Sequence, residues 1–312
     1  MRNVVPILFT FDEGLAMPAG VALTSLLESA EADTFYDIFI LHAPGCDFSG
    51  SALSRLPERY PNCCLTFRKV EGEFVGAYEI RGIPETAYYR LLAPEIIPEY
   101  DKILYSDVDV IIREDLAPYY AVDLGDAYFG AVDNCGRFRP DVREYVTRTL
   151  GLDWQKGYYY SGNLLINSAA LRRDGLTERF RALGTKAFKQ QDMDIINIAC
   201  NGRFREMGPA FCMTCQLYEL LVGRRADMES VYGAAEVDHA LSSGIVHYNG
   251  EKPWKGICLN MDIWWDCYRR SIFFDEAFCR DFWDGQHHRL ERLGLMKRIK
   301  MVLRYPLDRK NA

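Results

Sequence analysis

Asp107 and Asp109 stand one residue apart at the end of the apolar run Ile103-Leu104-Tyr105. Two hard oxygen ligands at that spacing suit Mg²⁺ or Mn²⁺, and such an ion would neutralise a diphosphate. The run before them has the β-favouring character of a buried strand. It would present the pair at the carboxyl edge of a sheet, where α/β proteins bind ligands. An Asp-x-Asp pair is also an ordinary feature of surface turns, so its meaning depends on what else the chain supplies.

The elements that would position this pair follow in a definite order. Val4-Val5-Pro6-Ile7-Leu8-Phe9 reads as a first buried strand that ends at Thr10-Phe11-Asp12-Glu13, and Pro18 and Ala19 open a helical stretch to Glu31. No Gly-x-Gly-x-x-Gly lies at that turn, so a pyrophosphate needs another device to hold it, and a metal is one. Thr86-Ala87-Tyr88-Tyr89-Arg90-Leu91-Leu92-Ala93-Pro94 reads as a short helix just before the Asp-x-Asp strand. Tyr158-Tyr159-Tyr160-Ser161-Gly162-Asn163 is a polar turn running into the buried strand Leu164-Leu165-Ile166, and Gln190-Gln191-Asp192-Met193-Asp194 is an acidic helix start. The last block is His247-Tyr248-Asn249-Gly250-Glu251-Lys252-Pro253-Trp254.

Five such blocks in this order resemble glycosyltransferase family 8, the retaining enzymes that include bacterial lipopolysaccharide galactosyl- and glucosyltransferases. The likeness runs from about Val4 to Trp254. It implies an α/β nucleotide-diphospho-sugar transferase fold, a mixed, mostly parallel sheet between helices, and transfer of a hexose, glucose or galactose, from a UDP-sugar with Mn²⁺. By resemblance Thr10 and Asp12 contact the uracil and ribose, and Arg90 reaches the nucleotide and donor sugar. Asp107 and Asp109 bind the metal, with His247 as its third protein ligand; an imidazole nitrogen tilts the choice from Mg²⁺ towards Mn²⁺. Lys252 matches the lysine near the diphosphate, Asp192 the acid that bonds donor-sugar hydroxyls, and Asp133 is a looser match in the sugar region.

The chain departs from the family pattern at several places, one of them a His-Tyr-x-Gly to Lys-Pro-Trp spacing shorter by one residue, which bears on the reach of Lys252. Tyr160 stands where the family has Asn, Asn163 follows Gly162 where it has Val, Met193 replaces the amide of an Asp-Gln-Asp block, and Gly14 replaces a side chain that touches the nucleotide. A thioether cannot make an amide's hydrogen bonds. Met193 is a poor nucleophile, which favours same-face attack with a β-phosphate oxygen taking the acceptor proton; Asp192 as a nucleophile stays open. So do two other readings of the whole, a non-catalytic UDP-sugar-binding protein and a sugar-nucleotide nucleotidyltransferase. Singly, His247 also reads as a strand-end histidine, Arg90 as a helix-surface cation, Asp192 as a favourable charge at a helix N-terminus and Lys252 as a loop charge.

The 312 residues, 49% of them hydrophobic, suffice for one large α/β domain plus an appendage. No apolar run is long enough to cross a bilayer, and the first residues lack a leader pattern, so a cytoplasmic location is expected. The ten cysteines are then expected as thiols, with Cys212-x-x-Cys215 and Cys63-Cys64 read as buried or incidental. A net charge of −7 argues against a nucleic-acid partner. Residues 289–310 are the exception, with eight cations interleaved with Leu295, Ile299, Val302 and Leu303. Such a basic amphipathic element fits the anionic inner membrane face, near a carbohydrate or lipid-linked glycan acceptor; a docked helix with a solvated basic side is the other reading. The expected division is a catalytic domain at 1–254 and a C-terminal helical extension at 255–312, with a mobile loop over the site at 70–86, where Gly72, Gly76 and Gly82 cluster.

Overall fold

The computed structural model describes residues 2–74, 76–79 and 84–304, the last four as backbone alone. Among the described residues there are ten strands: β1 (Asn3–Thr10), β2 (Thr34–His42), β3 (Cys63–Lys69), β4 (Ile103–Ser106), β5 (Val110–Ile111), β6 (Phe129–Ala131), β7 (Asn163–Ile166), β8 (Phe204–Glu206), β9 (Met213–Thr214) and β10 (Val246–His247). Seven form one sheet in the order β3-β2-β1-β4-β7-β6-β8. β2 and β4 pair with β1 in parallel and β3 with β2 in parallel, β7 runs antiparallel to β4 and β6, and β8 is parallel to β6. This is the mixed, mostly parallel α/β sheet expected.

Both faces of the sheet are covered, which is why its strands read as continuous apolar runs. Ile7, Phe9, Ile38, Ile40, Leu104 and Leu165 point into one core, shared with the helix Ala16–Glu28 and with Trp264, Trp265 and Tyr268 of the helix Met261–Arg270. Leu8, Phe39, Leu41, Tyr105, Leu164 and Ile166 point into the other, closed by the turn Glu85–Leu92 and the helices Leu176–Gly184 and Asp192–Ala199.

The first helix begins and ends earlier than Pro18 and Glu31. A 3₁₀ turn at Glu13–Leu15 feeds directly into Ala16–Glu28, so Pro18 is the third helical residue, where its missing N–H would have no intrahelical partner anyway. The end falls at Glu28 because the Ser29 hydroxyl turns back to Leu26 O at 3.2 Å and on to Glu114 O at 3.1 Å, offering the backbone an alternative to another turn. The short helix expected over Thr86–Pro94 is a 3₁₀ turn, Glu85–Leu92, leading into Ala93–Ile96. Of the 70–86 stretch, Gly72 and Gly76 adopt φ of 72° and 77°, while Gly82 lies outside the described residues.

β5, β10 and β9 make a second, three-stranded sheet in that order. It is small, but it joins the chain just past Asp109 to the block that begins at His247. Beyond it the helices Glu276–Glu291 and Leu295–Arg304 end the described chain; Tyr305, Asp308, Arg309 and Lys310 lie outside it. Leu295 and Met296 are exposed on the last helix, at 73% and 69%. Among the described residues no helix is long and apolar enough to cross a membrane.

Candidate active site

β4 ends at Ser106 and delivers Asp107 at the carboxyl edge of the large sheet, as the sequence suggests. The Asp107 N–H donates to Gly162 O at 2.7 Å, so the turn before β7 closes against it. Three residues on, β5 enters the small sheet. β10 pairs with it antiparallel, His247 opposite Val110, and the Tyr248 N–H donates to Asp109 O at 2.8 Å. Backbone pairing thus carries an imidazole from the far end of the chain to the carboxylates.

One ligand atom each from Asp107, Asp109 and His247 lies within 4.8 Å of the others. His247 Nε2 is 3.3 Å from Asp109 Oδ1 and 3.5 Å from Asp107 Oδ2. The Lys252 ammonium donates to Asp109 Oδ2 and, at 2.7 Å, to Tyr248 O. Burial alone would lower the His247 pKa, but the charge and hydrogen bond of Asp109 outweigh it and hold the imidazole well above its ordinary value. Burial pushes Asp109 up; the His247 and Lys252 charges prevail and keep its carboxyl below the usual range. Two carboxylates and a nitrogen, already drawn together around positive charge, fit a divalent cation of the Mn²⁺ type.

Gly162 is what lets the triad close. A Cβ there would lie 2.2 Å from His247 Cε1 and 2.9 Å from Asp107 Oδ2. Cys212 backs the ring from the other side, its Sγ 3.5 Å from Nδ1. With Nε2 turned to the carboxylates, Nδ1 faces this sulfur, which helps to hold the ring's orientation. Cys212 was expected as a buried or incidental thiol and is buried; nothing in its spacing pointed to the contact with His247.

Arg90 is buried in the wall of the site. Its Nη2 is 2.9 Å from Asp107 Oδ1 and its Nη1 3.4 Å from Asp192 Oδ2, with a further bond of 2.7 Å to Ser161 O and the guanidinium over the Tyr105 ring at 4.3 Å. The sequence thus brings Arg90, Asp107 and Asp192 together. Burial raises the Asp192 carboxyl above its ordinary value, against the pull of Arg90 and Ser161 and with a push from Asp107. Thr10, 3.3 Å from the Tyr105 hydroxyl that donates to Asp107, lines the same cleft of about 730 Å³ with Lys252 and His247. Asp12, half-buried at the start of the turn Glu13–Leu15, is not part of that lining.

The sequence model of Glycosyl transferase family 8 matches residues 6–258. The chain belongs to glycosyltransferase family 8. It is 25% identical over 234 residues to Glycosyltransferase GlyF of Streptococcus pneumoniae, covering 72% of this chain and 51% of that one. It is 25% identical over 204 residues to Lipopolysaccharide 1,2-glucosyltransferase of Escherichia coli, covering 63% of this chain and 59% of the relative. It therefore spans between half and three fifths of these curated relatives. Among solved structures, the galactosyltransferase LgtC in complex with donor and acceptor sugar analogs superposes with a TM-score of 0.73 at 26% identity, covering 89% of this chain and all 100% of LgtC.

The departures of this family 8 chain have definite places. Tyr160 is buried, and its hydroxyl donates to Asn134 Oδ1 at 2.6 Å. Asn163 donates to Ser106 Oγ at 3.0 Å inside the sheet and does not line the cleft. Met193 is partly buried, lines the cleft and packs beside Val142, Val146 and Tyr158. Asp133 gives both oxygens to backbone amides, accepting from Tyr158 N at 2.9 Å and Cys135 N at 3.0 Å, so its carboxylate holds a turn. Gln191, ahead of Asp192, takes φ +46°, a region non-glycine residues enter at a cost and that tends to mark working sites. Sequence pattern carries no signal for it.

Proposed function

We propose that this chain is a retaining hexosyltransferase, moving glucose or galactose from a UDP-sugar to a carbohydrate acceptor in lipopolysaccharide or another bacterial surface glycan. The observation that carries the reading is the convergence of Asp107, Asp109 and His247 at the edge of a family 8 sheet, with Lys252 on the same carboxylate. Asp107, Asp109 and His247 would hold Mn²⁺, which supplies Lewis-acid stabilisation of the charge developing on the departing diphosphate. Lys252, freed from Asp109, puts its ammonium on the same phosphates. Thr10 and Asp12 take the nucleoside. Arg90 positions Asp107 and Asp192 through its two ion pairs and excludes water from the wall between them. Asp192, buried and reluctant to ionise, hydrogen-bonds a hydroxyl of the donor sugar, and the acceptor hydroxyl loses its proton to a β-phosphate oxygen on the face the UDP leaves.

The last helix supports a partner outside the cleft. Leu295, Met296 and Ile299 are exposed beside Lys297, Arg298 and Lys300, a composition suited to lying on an anionic membrane surface, where a lipid-linked acceptor is presented. On this reading 1–254 is the catalytic part and 255–312 its extension, working at the inner face of the cytoplasmic membrane.

The test is UDP release from a panel of UDP-, GDP- and ADP-sugars with Mn²⁺ or with chelator. Mn²⁺-dependent release from one UDP-hexose supports the reading and names the donor. Absence of both release and Mn²⁺-dependent UDP binding overturns it.

A further inference from the structure

Asn134 lies on the cleft wall next to Tyr160, and the residue is 8% exposed. Its carbonyl oxygen accepts two bonds, from the Tyr160 hydroxyl at 2.6 Å and from Arg139 Nη1 at 2.7 Å. These partners decide which way the amide faces. Arg139 has no acceptor to offer, so the atom it meets must be Oδ1. The Tyr160 hydroxyl, which donates to the same oxygen, agrees with that assignment.

With both lone pairs of Oδ1 taken, everything the Asn134 side chain has left is its pair of N–H donors on Nδ2. Among the described residues no acceptor meets them, and Nδ2 is not sealed from the cleft that Asn134 lines. The backbone under them is fixed. The Asn134 N–H donates to Tyr158 O at 2.8 Å, and the Asp133 carboxylate pins the turn that follows through the Cys135 and Tyr158 amides. Arg139 is in turn held by Asp141 at 2.9 Å. This is a rigidly aimed donor pair on the wall of a cleft that also holds Asp192, an acceptor, and the Asp107–Asp109–His247 triad.

Resting on the reading above, we propose that Asn134 is a specificity-determining residue that donates both amide hydrogens to ring hydroxyl oxygens of the transferred hexose, with Tyr160 and Arg139 as its positioning residues. A sugar linked to a diphosphate at the triad lies between two kinds of partner. Asp192 receives hydrogen bonds from its hydroxyls, and Asn134 gives hydrogen bonds to them. A hydroxyl that does both is held in one direction, which is how axial and equatorial isomers are told apart. UDP without sugar has no group at this position.

The experiment compares three nucleotides, UDP, UDP-glucose and UDP-galactose, titrated calorimetrically into the full chain with Mn²⁺. Asn134→Ala is expected to leave UDP affinity within about twofold of the original chain. Affinity for the UDP-hexose the original chain prefers should fall about tenfold or more, with the preference between the two hexoses flattened. Tyr160→Phe keeps the amide but frees one lone pair, and is expected to show the same pattern at about threefold. Equal weakening of UDP and UDP-hexose in both variants, or unchanged affinity for all three ligands, overturns the assignment and leaves the function standing. If the original chain binds none of the three, the function and this inference fall together.

Discussion

Gly162→Ala tests the metal site through a single methyl group. Gly162 does not need a left-handed backbone, so alanine adds no φ penalty, and the cost comes from contact alone. The new Cβ would stand 2.2 Å from His247 Cε1, whereas carbon atoms rest about 3.5–4.0 Å apart, so the ring must retreat by roughly 1.3 Å. Behind it sits Cys212 Sγ, 3.5 Å from Nδ1, which leaves no room for that retreat without repacking. Metal-ligand distances tolerate only about 0.2 Å, so the imidazole leaves the ligand set. Metal-supported UDP affinity should fall more than about 100-fold, beyond what loss of a merely supporting contact produces, and the metal-free protein should lose about 1–3 kcal/mol from overpacking. Calorimetric UDP titration with and without Mn²⁺ reads the first quantity, and urea unfolding in chelator reads the second. His247→Ala should lose the same affinity without the overpacking, and the double variant should recover stability relative to Gly162→Ala, since the atom it collides with is gone. An alanine variant that binds UDP with Mn²⁺ as the original does would refute the placement of His247 as a ligand.

Three other outcomes follow from the electrostatics and the surface. Asp109→Ala should abolish Mn²⁺-dependent UDP binding and also lower metal-free stability by about 1–3 kcal/mol, because it strands the charges of Lys252 and His247; an unchanged melting temperature in chelator would refute the pairing. Burial holds the Asp194 carboxyl above its ordinary range against the Tyr145 and Tyr158 hydroxyls, so the folded chain keeps a proton that the unfolded chain loses near about pH 3.9. Its contribution to stability is therefore present at low pH and lost as pH rises through the raised value, and Asp194→Asn should flatten that fall in urea midpoints of the metal-free protein. Leu295→Glu with Ile299→Glu should remove sedimentation with anionic vesicles, while leaving hydrolysis of the soluble donor within about twofold; equal sedimentation would rule out the last helix as the contact.

The parts of the site that sequence displayed were those tied to strand ends. An apolar run followed by two aspartates has few ways to fold, and β4 put Asp107 where that pattern implied. Arg90 and Asp192 were legible through a resemblance, but their direct ion pair, beside Arg90's contacts with Asp107 and Ser161, was not. The parts that escaped depend on what lies across a gap in sequence. Cys212 gains its role only because β9 lies alongside β10, a pairing of two-residue strands too short to show a period. Asn134 and Asp133 are adjacent, yet one lines the cleft and the other bonds its own backbone, ahead of a turn at Cys135 with φ +53° that no sequence pattern signals. Tyr160 read as the loss of an amide. In the fold its hydroxyl reaches another one.

Lys252 has one further consequence. Its ammonium sits on Asp109 Oδ2 as a built-in counter-ion while Oδ1 faces His247, so the ammonium competes with a cation for one of the two carboxylate oxygens. Whatever draws Lys252 off, a phosphate above all, makes metal uptake easier, and metal uptake releases Lys252 to a phosphate. Linkage makes the two effects equal in size. Metal and nucleotide should therefore bind cooperatively and also depart together. The site, countered from within by Lys252, should take up each partner more tightly when the other is present.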